Sequence, residues 1–136
     1  MRPTHPTPVV IDTNVFVGAG FRPDSASGRL VQAVRDGMVR MLWCDATRAE
    51  TRTVLSKIPP LSWPAVEELF REEDRVQGHP DEGGLEWVTD PDDRKFAALA
   101  RATGAVLVSN DDHLLAGRDE ASIVVLTPGE YRARGP

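Results

Sequence analysis

Residues 8–14 read P-V-V-I-D-T-N. Val9, Val10 and Ile11 form a short, unbroken apolar run, the pattern of a parallel strand buried on both faces. The run stops at an acid, Asp12, with polar Thr13 and Asn14 directly behind it. A second run of the same kind, Val106-Leu107-Val108, leads into Ser109, Asn110, Asp111 and Asp112. Between and after these runs, apolar residues recur at helical spacing. Strands alternating with helices indicate an α/β fold with a largely parallel sheet. In such sheets ligands bind beyond the carboxyl ends of the strands, and Asp12 and Asp111 both stand there.

Working outward, prolines 3, 6 and 8 suggest an extended lead-in, with residues 1–7 and 130–136 frayed at the two ends. Gly18, Gly20 and Pro23 mark a loop after Asp12. Ser25 or Ser27 can cap a helix carrying Leu30, Val31 and Val34, ended by Gly37. Residues 38–44 read as a second strand. Asp45 caps a helix over 46–57, closed by Pro59 and Pro60. Ser62 opens a helix to about residue 75, and 85–88 can form a short strand. Asp90 and Pro91 start a helix with Phe96, Ala97 and Ala100 on one face, ended by Gly104. A helical turn holds Leu114 and Leu115, and 123–126 is the last strand.

The length of 136 residues and the 40% hydrophobic content fit a single domain spanning 1–136. No apolar run approaches the ~20 residues of a membrane helix. The start, M-R-P-T-H-P-T-P, has no apolar signal segment. Cys44 is the sole cysteine, which excludes a disulfide framework and a thiolate zinc site. A reducing, cytoplasmic location is the expectation, with no membrane partner. The net charge of −5 lacks the basic footprint usual in nucleic-acid binders, although bound divalent cations would offset it. Arginine favours bidentate phosphate contact, and the 16 basic residues are 14 Arg and 2 Lys.

Four acids carry the functional reading: Asp12, Glu50, Asp93 and Asp111. A carboxylate at a strand end or on an inward helix face must be paired or bound to a cation, and no matching basic set stands beside these four. Oxygen-only ligands point to Mg²⁺ or Mn²⁺. Each acid has a structural alternative. Asp12 could cap a turn, but no helix is expected next to it. Glu50 shares a helix face with Ala46, Thr53 and Val54, and could instead pair with Arg48 or Arg52. In D-P-D-D, capping and the helix dipole explain Asp90 and Asp92, but not why Asp93 shares the face of Phe96, Ala97 and Ala100. Asp111 could cap the turn holding Leu114 and Leu115, and Asp112 competes for either role. His5, His79 and His113 lack ligand spacing. The run Glu72, Glu73, Asp74 reads as a solvated helix face, and Cys44 as core.

Four segments together resemble the PIN-domain family, especially its toxin-like bacterial branch related to VapC nucleases. They are V-V-I-D-T-N-V-F-V (9–17), A-E-T-R-T-V-L (49–55), D-P-D-D-R-K-F-A-A-L-A (90–100) and A-V-L-V-S-N-D-D-H-L-L (105–115). The resemblance implies a PIN-like parallel sheet of order 3-2-1-4-5 between helices, and metal-dependent cleavage of single-stranded RNA. By position, Asp12, Glu50, Asp93 and Asp111 look like its catalytic, metal-holding acids. Asn14 looks like the polar residue supporting Asp12, beside Thr13. Ser109 fills a place where the family often has Thr or Ser near the metal. Asn110 stands where Gly is common, and Asp112 adds an extra acid.

The chemistry fits the residues. Two divalent ions about 4 Å apart can activate water and cover charge on a phosphodiester. Single-stranded or structured RNA is the expected partner. A cognate antitoxin protein and a second copy of the chain stay open as protein partners. Two other readings compete. One is an aspartyl-phosphate phosphatase, in which Asn14 would replace the needed second acid. The other is a non-catalytic PIN-like module that binds RNA or protein.

Overall fold

The computed structural model describes residues 7–134, so most of the expected lead-in, with His5, lies outside the described residues, as do 135–136. The first apolar run forms β1 (Val9–Ile11). It pairs in parallel with β2 (Val106–Val108), which pairs in parallel with β3 (Val125–Leu126), in the order β1-β2-β3. Alternate residues divide the core. Val9, Ile11, Val106 and Val108 face one apolar cluster, and Val10, Leu107 and Val125 face the other.

Helices cover both faces. α1 (Thr13–Phe21), α2 (Ala26–Arg35) and α3 (Asp45–Lys57) supply Val15, Phe16, Leu30, Val34 and Leu55 to the first cluster. α4 (Arg94–Thr103) and α5 (Asp112–Ala116) supply Phe96, Ala97, Leu99 and Leu114 to the second. Ser25 caps α2, accepting from Gly28 N at 3.2 Å. Gly104 ends α4 at φ +76°, in the left-handed region that suits glycine. No helix among the described residues is long and apolar enough to cross a membrane.

Several expectations are corrected. The loop after Asp12 is α1. Its glycines serve packing rather than turning, for a Cβ at Gly20 would sit 2.3 Å from Leu61 Cδ2. Residues 38–44 make no extended strand. Val9 pairs in parallel with Met41, and Trp43 with Arg75, through single bridges only. The chain leaves the sheet at Cys44, which already caps α3 in the place expected for Asp45. The 3-2-1-4-5 sheet is therefore seen as three strands. Residues 85–88 turn instead of extending, with Val88 N donating to Leu85 O, and both side chains are buried.

The helix expected over 62–75 is three short 3₁₀ turns, Trp63–Ala65, Glu67–Leu69 and Glu72–Asp74. Val66 at φ −122° and Phe70 at ψ 75° break the helical path. Phe70 takes that shape to meet Phe16, Trp43 and Trp63, with ring centroids 5.2–5.8 Å away. Asp74 is not solvated: it is buried and accepts from Arg40 Nε at 2.6 Å. The tail expected to fray contains α6 (Pro128–Ala133), started by a reciprocal Thr127–Glu130 capping box.

Candidate active site

Three of the four acids sit at helix N-caps, where strand exits and helix starts share one edge. Asp12 follows β1 and precedes α1, Asp93 precedes α4, and Asp111 follows β2 and precedes α5. An acid at an N-cap is ordinary if its side chain accepts from the exposed N–H groups. Asp12 and Asp93 make no such side-chain cap. Asp90 does, accepting from Asp92 N at 2.9 Å. A helix does begin next to Asp12, contrary to expectation, yet beyond the adjacent Thr13 N–H the carboxylate does not cap it.

Asp12 is 3% exposed. Ser109 Oγ donates to its Oδ2 at 2.7 Å. Burial pushes its carboxyl from 3.8 to about 6, against the Ser109 and Thr13 hydrogen bonds and with help from the charges of Asp111 and Glu50. Asp93 is half-buried, whereas Asp92 is exposed. Its carboxyl rises from 3.8 to about 7, first through burial, then through the charges of Asp12, Asp90, Asp111 and Glu50. All four acids of the sequence reading thus share one electrostatic neighbourhood.

Asp111 fulfils its capping alternative. Its Oδ1 accepts from His113 N at 2.7 Å and Leu114 N at 3.3 Å. Asp112 and His113 are exposed on α5. The charge of Asp111, like that of Glu50, raises both Asp12 and Asp93.

Glu50 departs from expectation in two ways. The core face of α3 is Thr47, Thr51 and Leu55, so Glu50 lies on the margin with its side chain 30% exposed. Its partner is neither Arg48, which pairs with Glu67, nor Arg52. It is Lys95, whose Nζ lies 3.2 Å from Glu50 Oε1. The acids therefore do have a cation beside them. Lys95 Nζ also donates to Asp92 O at 2.8 Å.

The supporting residues knit the edge together. Ser109 is fully buried and also accepts from Asp111 N at 2.9 Å, so one hydroxyl ties the exit of β2 to Asp12. Thr13 Oγ1 and Thr51 Oγ1 are 3.0 Å apart, joining α1 to α3. Asn14 directs its side-chain hydrogen bond to the neighbouring loop and not to Asp12. Its Oδ1 accepts from Asn110 N at 3.2 Å, and Asn110 Nδ2 donates to Ser27 Oγ at 2.9 Å. Sequence reasoning missed Lys95, Thr51 and Ser27 in this setting. Thr51 carried a weak signal, since it neighbours Glu50 and repeats Thr47 one turn on.

The donor chemistry fits a hard divalent cation. Asp12 and Asp93 hold raised carboxyls among like charges, and a cation would relieve both. Asp12, Asp93 and Asp111, with the Glu50 oxygen that Lys95 does not engage, are the residues that would hold it. Among the described residues, no three His, Cys, Asp or Glu side chains stand close enough together to hold a metal ion as they are placed. A groove of about 850 Å³ lies apart from these acids, where Thr7 and Pro8 lead into β1. Its arginines are already engaged: Arg35 with Glu68, Arg40 with Asp74, and Arg71 with the Val34 and Arg35 carbonyls.

The family model described as PIN domain matches residues 8–113, a stretch that includes all four acids. The chain belongs to the PIN-domain family. PIN domains are a superfamily of nucleases, hydrolases that usually use divalent metal ions. No curated protein matches the chain.

Proposed function

We propose that this protein is a divalent-metal-dependent endoribonuclease, using Mg²⁺ or Mn²⁺ to hydrolyse phosphodiesters of single-stranded RNA. The observation that carries the reading is the uncapped pair Asp12 and Asp93. Both occupy N-caps without capping, and both have carboxyls raised by burial and neighbouring acids. One structural carboxylate, Glu130, behaves oppositely. Glu130 caps α6, pairs with Arg118, and is held down at about 2.

A bound divalent ion supplies positive charge at the phosphate oxygens and makes a nucleophile available from water near neutral pH. The chain's part is to hold and orient. Asp12 is fixed by Ser109, and Asp111 by its own cap to α5. Asp93 sits at the start of α4, where the helix dipole favours negative charge. Hydrolysis then joins a water oxygen to phosphorus and breaks one ester bond, whose departing oxygen takes up a proton. Asn14 cannot supply that proton as a phosphatase acid would, since its amide is neutral and its oxygen accepts from Asn110.

The finer reading places the chain in the VapC-related branch as a cytoplasmic toxin with a cognate antitoxin. The single bridges at Met41 and Arg75 support the 3-2-1-4-5 sheet order in reduced form. The test is cleavage of a single-stranded RNA by purified protein with Mg²⁺ or Mn²⁺. Activity should vanish in EDTA and in Asp12→Asn. Robust cleavage without divalent metal would sink the mechanism, and RNA binding without cleavage by wild type would leave a non-catalytic module.

A further inference from the structure

Lys95 is one of the two lysines in the chain, and its side chain is 19% exposed. An ammonium group has three donors. Two are committed, to Glu50 Oε1 at 3.2 Å and to the Asp92 carbonyl at 2.8 Å. Glu50 is also a member of the acid neighbourhood, because its charge acts on both Asp12 and Asp93. Lys95 therefore stands at the rim of the cluster, anchored on two sides, with a donor to spare. Neighbouring Arg94 is turned away, since its Nε donates to Val88 O at 3.0 Å.

A phosphodiester approaching four acids meets repulsion unless fixed positive charge waits for it. We infer that Lys95 is a phosphate-binding residue of this site: its third donor takes a non-bridging phosphate oxygen of the RNA strand, while Glu50 and the Asp92 carbonyl hold the ammonium in place. Lysine acts here as a point charge and needs no bidentate geometry. Only one Glu50 oxygen serves Lys95, so the other stays available to a cation. The inference rests on the ribonuclease reading and adds a contact to the substrate that the acids cannot make.

The experiment uses the full chain carrying Asp12→Asn to silence cleavage, a fluorescent single-stranded RNA oligonucleotide, and Ca²⁺. Binding is measured by anisotropy across a series of salt concentrations. Adding Lys95→Gln should weaken binding by about tenfold at the lowest salt and flatten the log–log salt slope by about 0.7, the loss of one phosphate contact to a single strand. Lys95→Arg should keep the slope. Mn²⁺ binding without RNA, followed by electron paramagnetic resonance, should stay within about twofold, since the metal is held by the acids. If Lys95→Gln folds poorly, the comparison becomes Glu50→Gln with and without Lys95→Gln, which strands no acid. An unchanged salt slope overturns the inference, as does tighter Mn²⁺ binding with unaltered RNA binding, because Lys95 would then only occupy a cation's place on Glu50. If the protein with Lys95 intact binds no RNA at all, the ribonuclease reading falls and takes this inference with it.

Discussion

Replacing Asp12 with asparagine should stabilise the metal-free protein, and should do so only above acidic pH. The carboxyl is 3% exposed and rises from 3.8 to about 6 on folding. That rise of roughly 2 pKa units, at ~1.4 kcal/mol each, sets a ceiling of about 3 kcal/mol on the cost of keeping Asp12 ionised in the folded state. Asparagine retains an acceptor for Ser109 Oγ but loses the charge assistance, which removes about 1 kcal/mol of the gain. A net gain of about 2 kcal/mol at pH 8 remains, equivalent to about 7 °C in Tm for a chain of this size. The sign follows from linkage. A raised acid contributes stability that is fully present below its unfolded value and is lost as pH rises through its folded value. The advantage of the variant should therefore grow between pH 3.8 and about 6 and level off beyond. Loss of the Asp12 charge also relieves Asp93, which extends the rise toward about pH 7. Urea unfolding of both proteins in EDTA at a series of pH values measures this. A gain that is equal at pH 4 and pH 8, or a loss at pH 8, would refute the burial of an ionised Asp12 carboxylate.

Mg²⁺ or Mn²⁺ should raise the melting temperature of the wild type by mass action, and less so below pH 6, where protons hold Asp12 and Asp93; calorimetric scans with and without metal check it. Asp93→Asn should abolish RNA cleavage while exposed Asp92→Asn leaves it within a few-fold, and the opposite ranking would move the site by one residue. Ser109→Ala should cost about 1–3 kcal/mol in urea unfolding, since it strips a donor from Asp12 and an acceptor from Asp111 N. Gly104→Ala, at φ +76° with open space around it, should cost about 1 kcal/mol of stability and leave cleavage unchanged.

The segments legible in the sequence were those whose signal is local. The runs 9–11 and 106–108 are apolar throughout, and the start of α4 carries its own capping chemistry in Asp90 and Pro91. The same holds for the inward acid at Asp93. What escaped depends on partners distant in sequence. Whether 38–44 becomes a strand depends on how long it stays beside β1, and it stays for a single residue pair. Gly18 and Gly20 read as loop residues because nothing local reveals Leu61 or Ser27 pressed against them. Trp63 and Phe70 have helical spacing, but their rings are drawn into an aromatic cluster that a helix could not satisfy. Lys95 lies 45 residues from Glu50, and no periodicity joins them. The tail was the avoidable miss, because T-P-G-E at 127–130 spells its own cap.

The choice between cap and ligand could not be made from sequence, because in a parallel α/β fold the two positions coincide. The carboxyl end of each strand feeds the amino end of the next helix, so an acid at the exit is also an acid at the N-cap. Only the side-chain hydrogen bonds separate the roles. Asp90 caps, accepting from Asp92 N, even though its charge also reaches Asp93. Asp111 caps with one oxygen, which rigidly aims the other. Asp12 is held by a buried hydroxyl and the adjacent Thr13 N–H, without a capping bond deeper into α1. Asp93 has neither anchor, and its carboxyl is the more raised of the two. Lacking an anchor, it is the acid whose orientation metal binding should change most.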